Sequence, residues 1–163
     1  MAISVAVREQ LSRLLEWNEA HMSFDAAVRD FPDSLRGVQP EGLPYSPWQL
    51  LEHLRITQHD ILEFCINPDY VEPRWPDDYW PEEPAPVSRS AWDTSIEQFV
   101  RDRAALQRLS LDRRIDLESK IPHGQGQTYL RELLLAADHA AYHLGELIVV
   151  RRLLGAWPPS SGK

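Results

Sequence analysis

Two histidines near the C-terminus, His139 and His143, are spaced four residues apart inside an apolar stretch with helical periodicity. Residues four apart lie one above the other on a helix face, so both imidazoles can point at the same spot. A third histidine, His53, lies in another helical stretch that is rich in leucine. If the two helices pack together, three neutral imidazoles could bind one divalent metal and leave positions open for water or substrate.

The histidine pair also has a second interpretation, as ordinary surface or hydrogen-bonded core residues. Its apolar neighbours indicate that the helix is largely buried, so the imidazoles need partners, and a metal is one such partner. Glu146 lies seven residues after His139 and returns to the same face, where it could orient a ligand or form an ordinary helix salt bridge. Asp60 lies near the same stripe as His53 but about 10 Å along the helix, which disfavours the binding of one metal by both.

Helical periodicity appears in four segments, which cover about residues 4–30, 46–66, 90–109 and 128–155. The second segment starts with a capping box, Ser46 with Gln49 three residues later, and has Pro47 at the first helical position. Between the third and fourth segments the chain looks irregular, with a short extended piece at 117–121. The pattern predicts an all-α four-helix bundle that forms a single domain over residues 1–163.

The connection between the second and third helices, residues 67–89, is long and contains six prolines. A loop of this length is either functional or poorly ordered, and its aromatic residues favour a functional loop. Trp75, Tyr79 and Trp80 are therefore candidates for the walls of a substrate pocket over the metal. Equally, these rings could pack only to pin the loop in place.

The composition limits the function classes. The formal net charge of −8 argues against a nucleic-acid partner, because phosphate binding requires clustered Lys and Arg. The N-terminus resembles no signal peptide, and the charged residues within the longest apolar run argue against a membrane span. The single cysteine, Cys65, cannot form an internal disulfide. These features predict a soluble cytoplasmic protein.

Two blocks of sequence resemble a known family. The block Trp48-x-Leu-Leu-Glu-His53-Leu and the block His139-x-x-x-His143-x-Gly-Glu-Leu-Ile are similar to those of the DinB/YfiT-like metalloenzyme superfamily, a family of four-helix bundles. The resemblance extends over nearly the whole chain and implies that His53, His139 and His143 bind a divalent metal. Relatives commonly carry Gly-Gln after the second histidine of the last helix, whereas this chain has glutamate at position 146.

The resemblance implies nickel or zinc as the metal and a homodimer as the assembly. Some relatives are transferases or isomerases that use low-molecular-weight thiols such as bacillithiol or mycothiol. The expected function is therefore a metal-dependent enzyme that activates a thiol or water, for transfer to or hydrolysis of a small molecule. The alternative is a non-catalytic metal or small-molecule binding module, which a fourth protein ligand such as Glu146 or Asp60 would favour.

Overall fold

The computed structural model describes residues 3–16 and 19–159 of the chain. These residues form five α-helices: α1 (Val5–Leu14), α2 (Phe24–Val28), α3 (Pro47–Ile66), α4 (Arg89–Leu111) and α5 (Tyr129–Leu153). Two short 3-10 turns, Asp33–Leu35 and Asp77–Tyr79, lie in the connections. No β-strand forms in the described part of the chain, so the predicted all-α class is confirmed.

The helices that carry the three histidines begin where the sequence predicts. Ser46 Oγ accepts the backbone N–H of Gln49 at 3.1 Å, and the Gln49 side chain accepts the N–H of Ser46 at 3.1 Å. This reciprocal pair satisfies two of the N–H groups that a helix start leaves free. Thr128 caps α5 in the simpler way, by accepting the N–H of Arg131 at 3.2 Å.

The first predicted helix, residues 4–30, is wrong in its extent. The structure ends α1 at Leu14 and starts the five-residue α2 at Phe24, with Ser23 Oγ accepting the N–H of Ala26 at 3.2 Å. Tertiary packing separates the two pieces, because α1 packs against α4 whereas α2 packs against α5. A serine inside a periodic apolar pattern fits either a helix interior or a cap, so the pattern alone missed the break.

Two further boundaries differ slightly from expectation. The helix expected to start near Ser90 is capped by Ser88, whose hydroxyl accepts the N–H of Ala91 at 3.1 Å. The extended piece expected at 117–121 reduces to an isolated antiparallel bridge between Lys120 and Thr128. The rest of this connection is irregular, as predicted.

The long helices α1, α3, α4 and α5 pack together, with α3 in contact with both α4 and α5. One buried apolar cluster surrounds the first half of α3 and includes Leu51, Trp92 and Leu147. A second surrounds its other half and includes Ile61 and Leu106. This packing places the His53 face of α3 against α5.

Helix α5 is long and apolar enough to cross a membrane by length and composition alone, with a mean hydropathy of 1.3 over its most apolar window. In the structure 44% of that window is buried inside the protein. The buried residues of α5 belong to the core of the bundle, and the core helix of a soluble protein meets the same test. The fold is typical of soluble proteins.

Candidate metal centre

The three predicted histidines lie together between α3 and α5. The Nε2 atom of His53 lies 3.0 Å from Nε2 of His139 and 3.2 Å from Nε2 of His143. All three potential ligand atoms lie within 4.8 Å of one another. The side chain of His53 is buried, and that of His143 is 11% exposed. The packing of α3 on α5 thus brings three imidazole nitrogens to one point.

The hydrogen bonds on the far side of two rings set their tautomers. His53 Nδ1 lies 2.9 Å from the backbone carbonyl oxygen of Tyr79, which only accepts, so this nitrogen carries the proton. His143 Nδ1 lies 2.6 Å from a carboxylate oxygen of Glu146 and also donates. In the neutral rings both Nε2 atoms therefore present lone pairs, and these face each other at 3.2 Å. A proton or a metal cation between the two nitrogens relieves such a contact.

Burial keeps protons away from His53 and His139 at neutral pH. It lowers the pKa of His53 to about 4, a shift that the Tyr79 carbonyl partly opposes and that nearby His143 increases. Burial likewise lowers the pKa of His139 to about 3, with further contributions from the other two histidines. Because metals bind the unprotonated imidazole, both rings are in the metal-binding form at pH 7.

The separations of the Nε2 atoms suit a metal ion. With metal–nitrogen bonds of about 2.05 Å, two ligand nitrogens lie about 2.9 Å apart at a right angle and about 3.4 Å apart at a tetrahedral angle. The two closest pairs, at 3.0 and 3.2 Å, fall within this range. Two of the three separations therefore fit imidazoles bound to one divalent metal, and all three ligand atoms lie within 4.8 Å of one another.

The aromatic residues of the connection between α3 and α4 differ in their positions. The ring of Trp80 lies flat on His53, with centroids 3.8 Å apart and an interplanar angle of 7°. Tyr79 is buried and contributes its carbonyl to His53. Trp75 is 71% exposed, and its ring packs against Tyr79. Trp80 and Tyr79 contact the histidine cluster directly, and the idea that they wall a substrate pocket stays a prediction.

The acidic residue predicted to lie on the histidine face, Glu146, contacts His143 on the side of the ring away from the cluster. A carboxylate in this position holds the tautomer of a metal-binding histidine and increases the basicity of its other nitrogen. Tyr142, 65% exposed, places its ring edge-on to His143 at 4.8 Å, and the charge of nearby Glu146 raises the pKa of its phenol. The sequence analysis did not single out Tyr142, although it directly precedes the second histidine.

A second residue without a sequence signal is Tyr45, directly before the cap of α3. Its ring stacks on Trp80 at 4.4 Å, so Tyr45, Trp80 and His53 form a continuous stack. No local pattern predicts this contact, because Tyr45 and Trp80 belong to separate connections.

The remaining histidines have other partners. His59 Nδ1 lies 2.9 Å from a carboxylate oxygen of buried Asp102, which ties α3 to α4. His123 Nε2 lies 2.6 Å from the carbonyl oxygen of Phe64. His21 lies at the surface, where its Nδ1 contacts the Met22 carbonyl. Each of these rings therefore has a local structural contact outside the cluster.

A sequence model of the DinB superfamily matches residues 16–147, most of the chain and all three clustered histidines. The chain belongs to the DinB superfamily. Among proteins with curated descriptions and among solved structures, none is significantly similar to this chain. Membership in the superfamily agrees with a divalent metal at the three histidines. It identifies no reaction, so the function is inferred from the residues around them.

Proposed function

We propose that this DinB superfamily member binds one divalent metal, nickel or zinc, through His53, His139 and His143, and uses it as an enzyme. The observation that carries the proposal is the contact between the Nε2 lone pairs of His53 and His143 at 3.2 Å. The other nitrogen of each ring donates to an oxygen, and burial disfavours a proton on His53. A metal cation is the partner that suits both rings at neutral pH.

The donor set favours a nucleophile-activating site. Three neutral imidazoles leave the full charge of a divalent ion uncompensated, and they leave coordination positions for exogenous ligands. A metal bound in this way lowers the pKa of a bound thiol or water, which supplies a nucleophile near neutral pH. The substrate class we propose is a small electrophile, with a low-molecular-weight thiol or water as the second reactant.

The surrounding side chains support these roles. Trp80 covers one face of His53 and keeps water from it. Glu146 holds His143 with its Nε2 towards the cluster. Exposed Tyr142 lies edge-on beside His143, close enough to the proposed metal site for its ring to contact a substrate there.

The alternative, a non-catalytic binding module, predicts a fourth protein ligand. The two carboxylates considered for that position have other contacts. Glu146 bonds His143 Nδ1, and Asp60 accepts a hydrogen bond from the Tyr79 phenol at 2.8 Å. This arrangement supports an open coordination position and hence catalysis.

The first experiment is the metal content of protein purified without a histidine tag, for the wild type and His139→Ala. His21→Ala is the matched control, because it removes a surface histidine outside the cluster. We expect about one metal per chain in the wild type and the control, and none in His139→Ala, with unchanged helical circular dichroism. Tight stoichiometric binding by His139→Ala would refute the ligand assignment, as would a wild type that binds neither zinc nor nickel on reconstitution.

The second experiment tests catalysis. Metal-free and reconstituted protein are assayed for thiol transfer to small electrophiles and for hydrolysis, with bacillithiol, mycothiol or water as nucleophile. We expect turnover only in the reconstituted wild type. Reconstituted protein that binds metal tightly but turns over none of these substrates would favour the binding module.

A further inference from the structure

Tyr79 connects two residues of α3 that lie on the same face of the helix. Its backbone carbonyl accepts the His53 Nδ1–H at 2.9 Å, and its phenol donates to Asp60 Oδ2 at 2.8 Å. His53 and Asp60 are seven residues, or about 10 Å, apart along the axis. Tyr79 therefore spans two turns of α3. It links the predicted metal ligand His53 to the carboxylate of Asp60, which is too far along the helix to contact His53 directly.

The segment that follows Tyr79 runs back along α3 without any regular secondary structure of its own. Side chains of α3 and its cap hold it, and their contacts follow the chain in reverse order. Asp60 and His53 both bond Tyr79. Further along the loop, Gln49 Nε2 donates to the Pro81 carbonyl. Ser46 Oγ then donates to the Pro84 carbonyl. The hydrogen bond between Asp60 and Tyr79 is among the first of these contacts along the loop.

The surroundings of Asp60 make its bond with Tyr79 important. Tyr79 is buried, and Oδ1 of Asp60 is buried without a hydrogen-bond partner among the described residues. The phenol of Tyr79 donates to this carboxyl group, and Tyr70 is a second nearby phenol that lowers its pKa. A carboxylate with so few donors loses much of its stabilisation when one phenol is removed.

The position of the Tyr79 backbone determines the direction of the His53 ring. The carbonyl fixes Nδ1 as the protonated nitrogen, and Trp80, the next residue, lies flat on the ring. Together they leave Nε2 directed at His139 and His143. A shift of Tyr79 would disturb both contacts at once.

We infer that Asp60 is a positioning residue, which acts through the Tyr79 phenol to hold the His53 imidazole in its metal-binding orientation. Asp60 does not touch the metal or a substrate in this arrangement. The inference rests on the proposed function, because it concerns the affinity of the same histidine site.

The test compares Tyr79→Phe, Asp60→Leu and the double variant with the wild type in metal affinity, by competition with a chromophoric chelator for zinc and nickel. Leucine is close to aspartate in shape but cannot accept the hydrogen bond of the Tyr79 phenol. Tyr70→Phe is the matched control, because it also removes a phenol from Asp60 but has no contact with His53. Urea unfolding of each metal-free variant checks that the fold is retained. A second readout needs no metal: the ring nitrogens of His53 are followed by 15N NMR in the metal-free protein.

We expect Tyr79→Phe to weaken the metal affinity by about 10-fold, the low end for residues that orient a metal ligand. The double variant should bind the metal no more weakly than Tyr79→Phe does, since both changes remove the same hydrogen bond. The metal affinity of Tyr70→Phe should stay within about twofold of that of the wild type. In the metal-free protein, the Nδ1-protonated form of His53 should dominate in the wild type and become a mixture of tautomers in Tyr79→Phe.

The failures of the two hypotheses are distinguishable. A wild type that binds metal while Tyr79→Phe and Asp60→Leu bind it equally well would overturn the positioning role and leave the proposed function intact. A wild type that binds no metal would overturn the proposed function. In that case the NMR experiment still decides the inference, because an unchanged His53 tautomer in Tyr79→Phe refutes it.

Discussion

The buried histidine of α3 makes the metal-free protein sensitive to acid. His53 is 2% exposed, and burial lowers its pKa from 6.5 to about 4. As the pH falls below 6.5, the unfolded chain takes up a proton on this residue that the folded protein does not accept. Acid therefore favours the unfolded chain, and stability declines from about pH 6.5 down to about pH 4, where the loss levels off.

The size of the effect follows from the two pKa values. At pH 5 an imidazole with a pKa of 6.5 is about 97% protonated, and one with a pKa of about 4 is about 9% protonated. The corresponding loss in the free energy of unfolding is about 2 kcal/mol relative to pH 7.5. This is a large share of the stability of an ordinary domain.

The assay is urea unfolding of metal-stripped protein at pH 7.5 and pH 5.0, for the wild type and His53→Gln. Carboxylates elsewhere also titrate, so the quantity that matters is the difference between the two proteins. We expect the wild type to lose about 2 kcal/mol more than His53→Gln on acidification. His21→Gln, a surface change outside the cluster, is the control and should behave as the wild type does.

Equal losses in the wild type and His53→Gln would refute the reasoning, because they would show that folding does not lower the pKa of His53. Zinc added at pH 5 gives an additional check. It should restore stability to the wild type but not to His53→Gln, since it binds only the folded site.

Two further predictions concern other contacts. Glu146→Gln should weaken metal affinity by about 10-fold in the chelator competition, because the neutral amide holds His143 less firmly; an unchanged affinity would contradict its orienting role. Arg151→Met should cost about 3 kcal/mol in urea unfolding, because buried Arg151 donates to three backbone carbonyls that would be left unsatisfied. The exposed neighbour Arg152→Met should cost under about 0.5 kcal/mol, and equal losses would contradict the argument.

Features that depend on a few neighbouring residues could be predicted from the sequence. The capping box at Ser46 and the cap at Thr128 are local, since each joins groups three residues apart. The alignment of His139 and His143 on one face follows from helix geometry alone. These signals were sufficient for the all-α class and for the helices that carry the three histidines.

Features that depend on which helix surfaces pack together could not be predicted from local sequence patterns. The predicted helix 4–30 runs across the break between α1 and α2, which depends on the packing of α1 mainly on α4 and of α2 on α5. The predicted start of α4 near Ser90 is two residues late, because the folded chain uses Ser88 as the cap and a serine at either position suits this role.

For the metal centre, the sequence by itself determined the ligand types and the spacing of the pair on α5. Only the tertiary structure decided that His53 meets this pair with Nε2 separations of 3.0 and 3.2 Å. It also decided that Tyr79 and Trp80 hold the His53 ring, and that Asp60 bonds Tyr79. The physical reason is range: a helix aligns residues one turn apart, whereas contacts between α3, α5 and their connecting loop depend on the packing of the whole bundle.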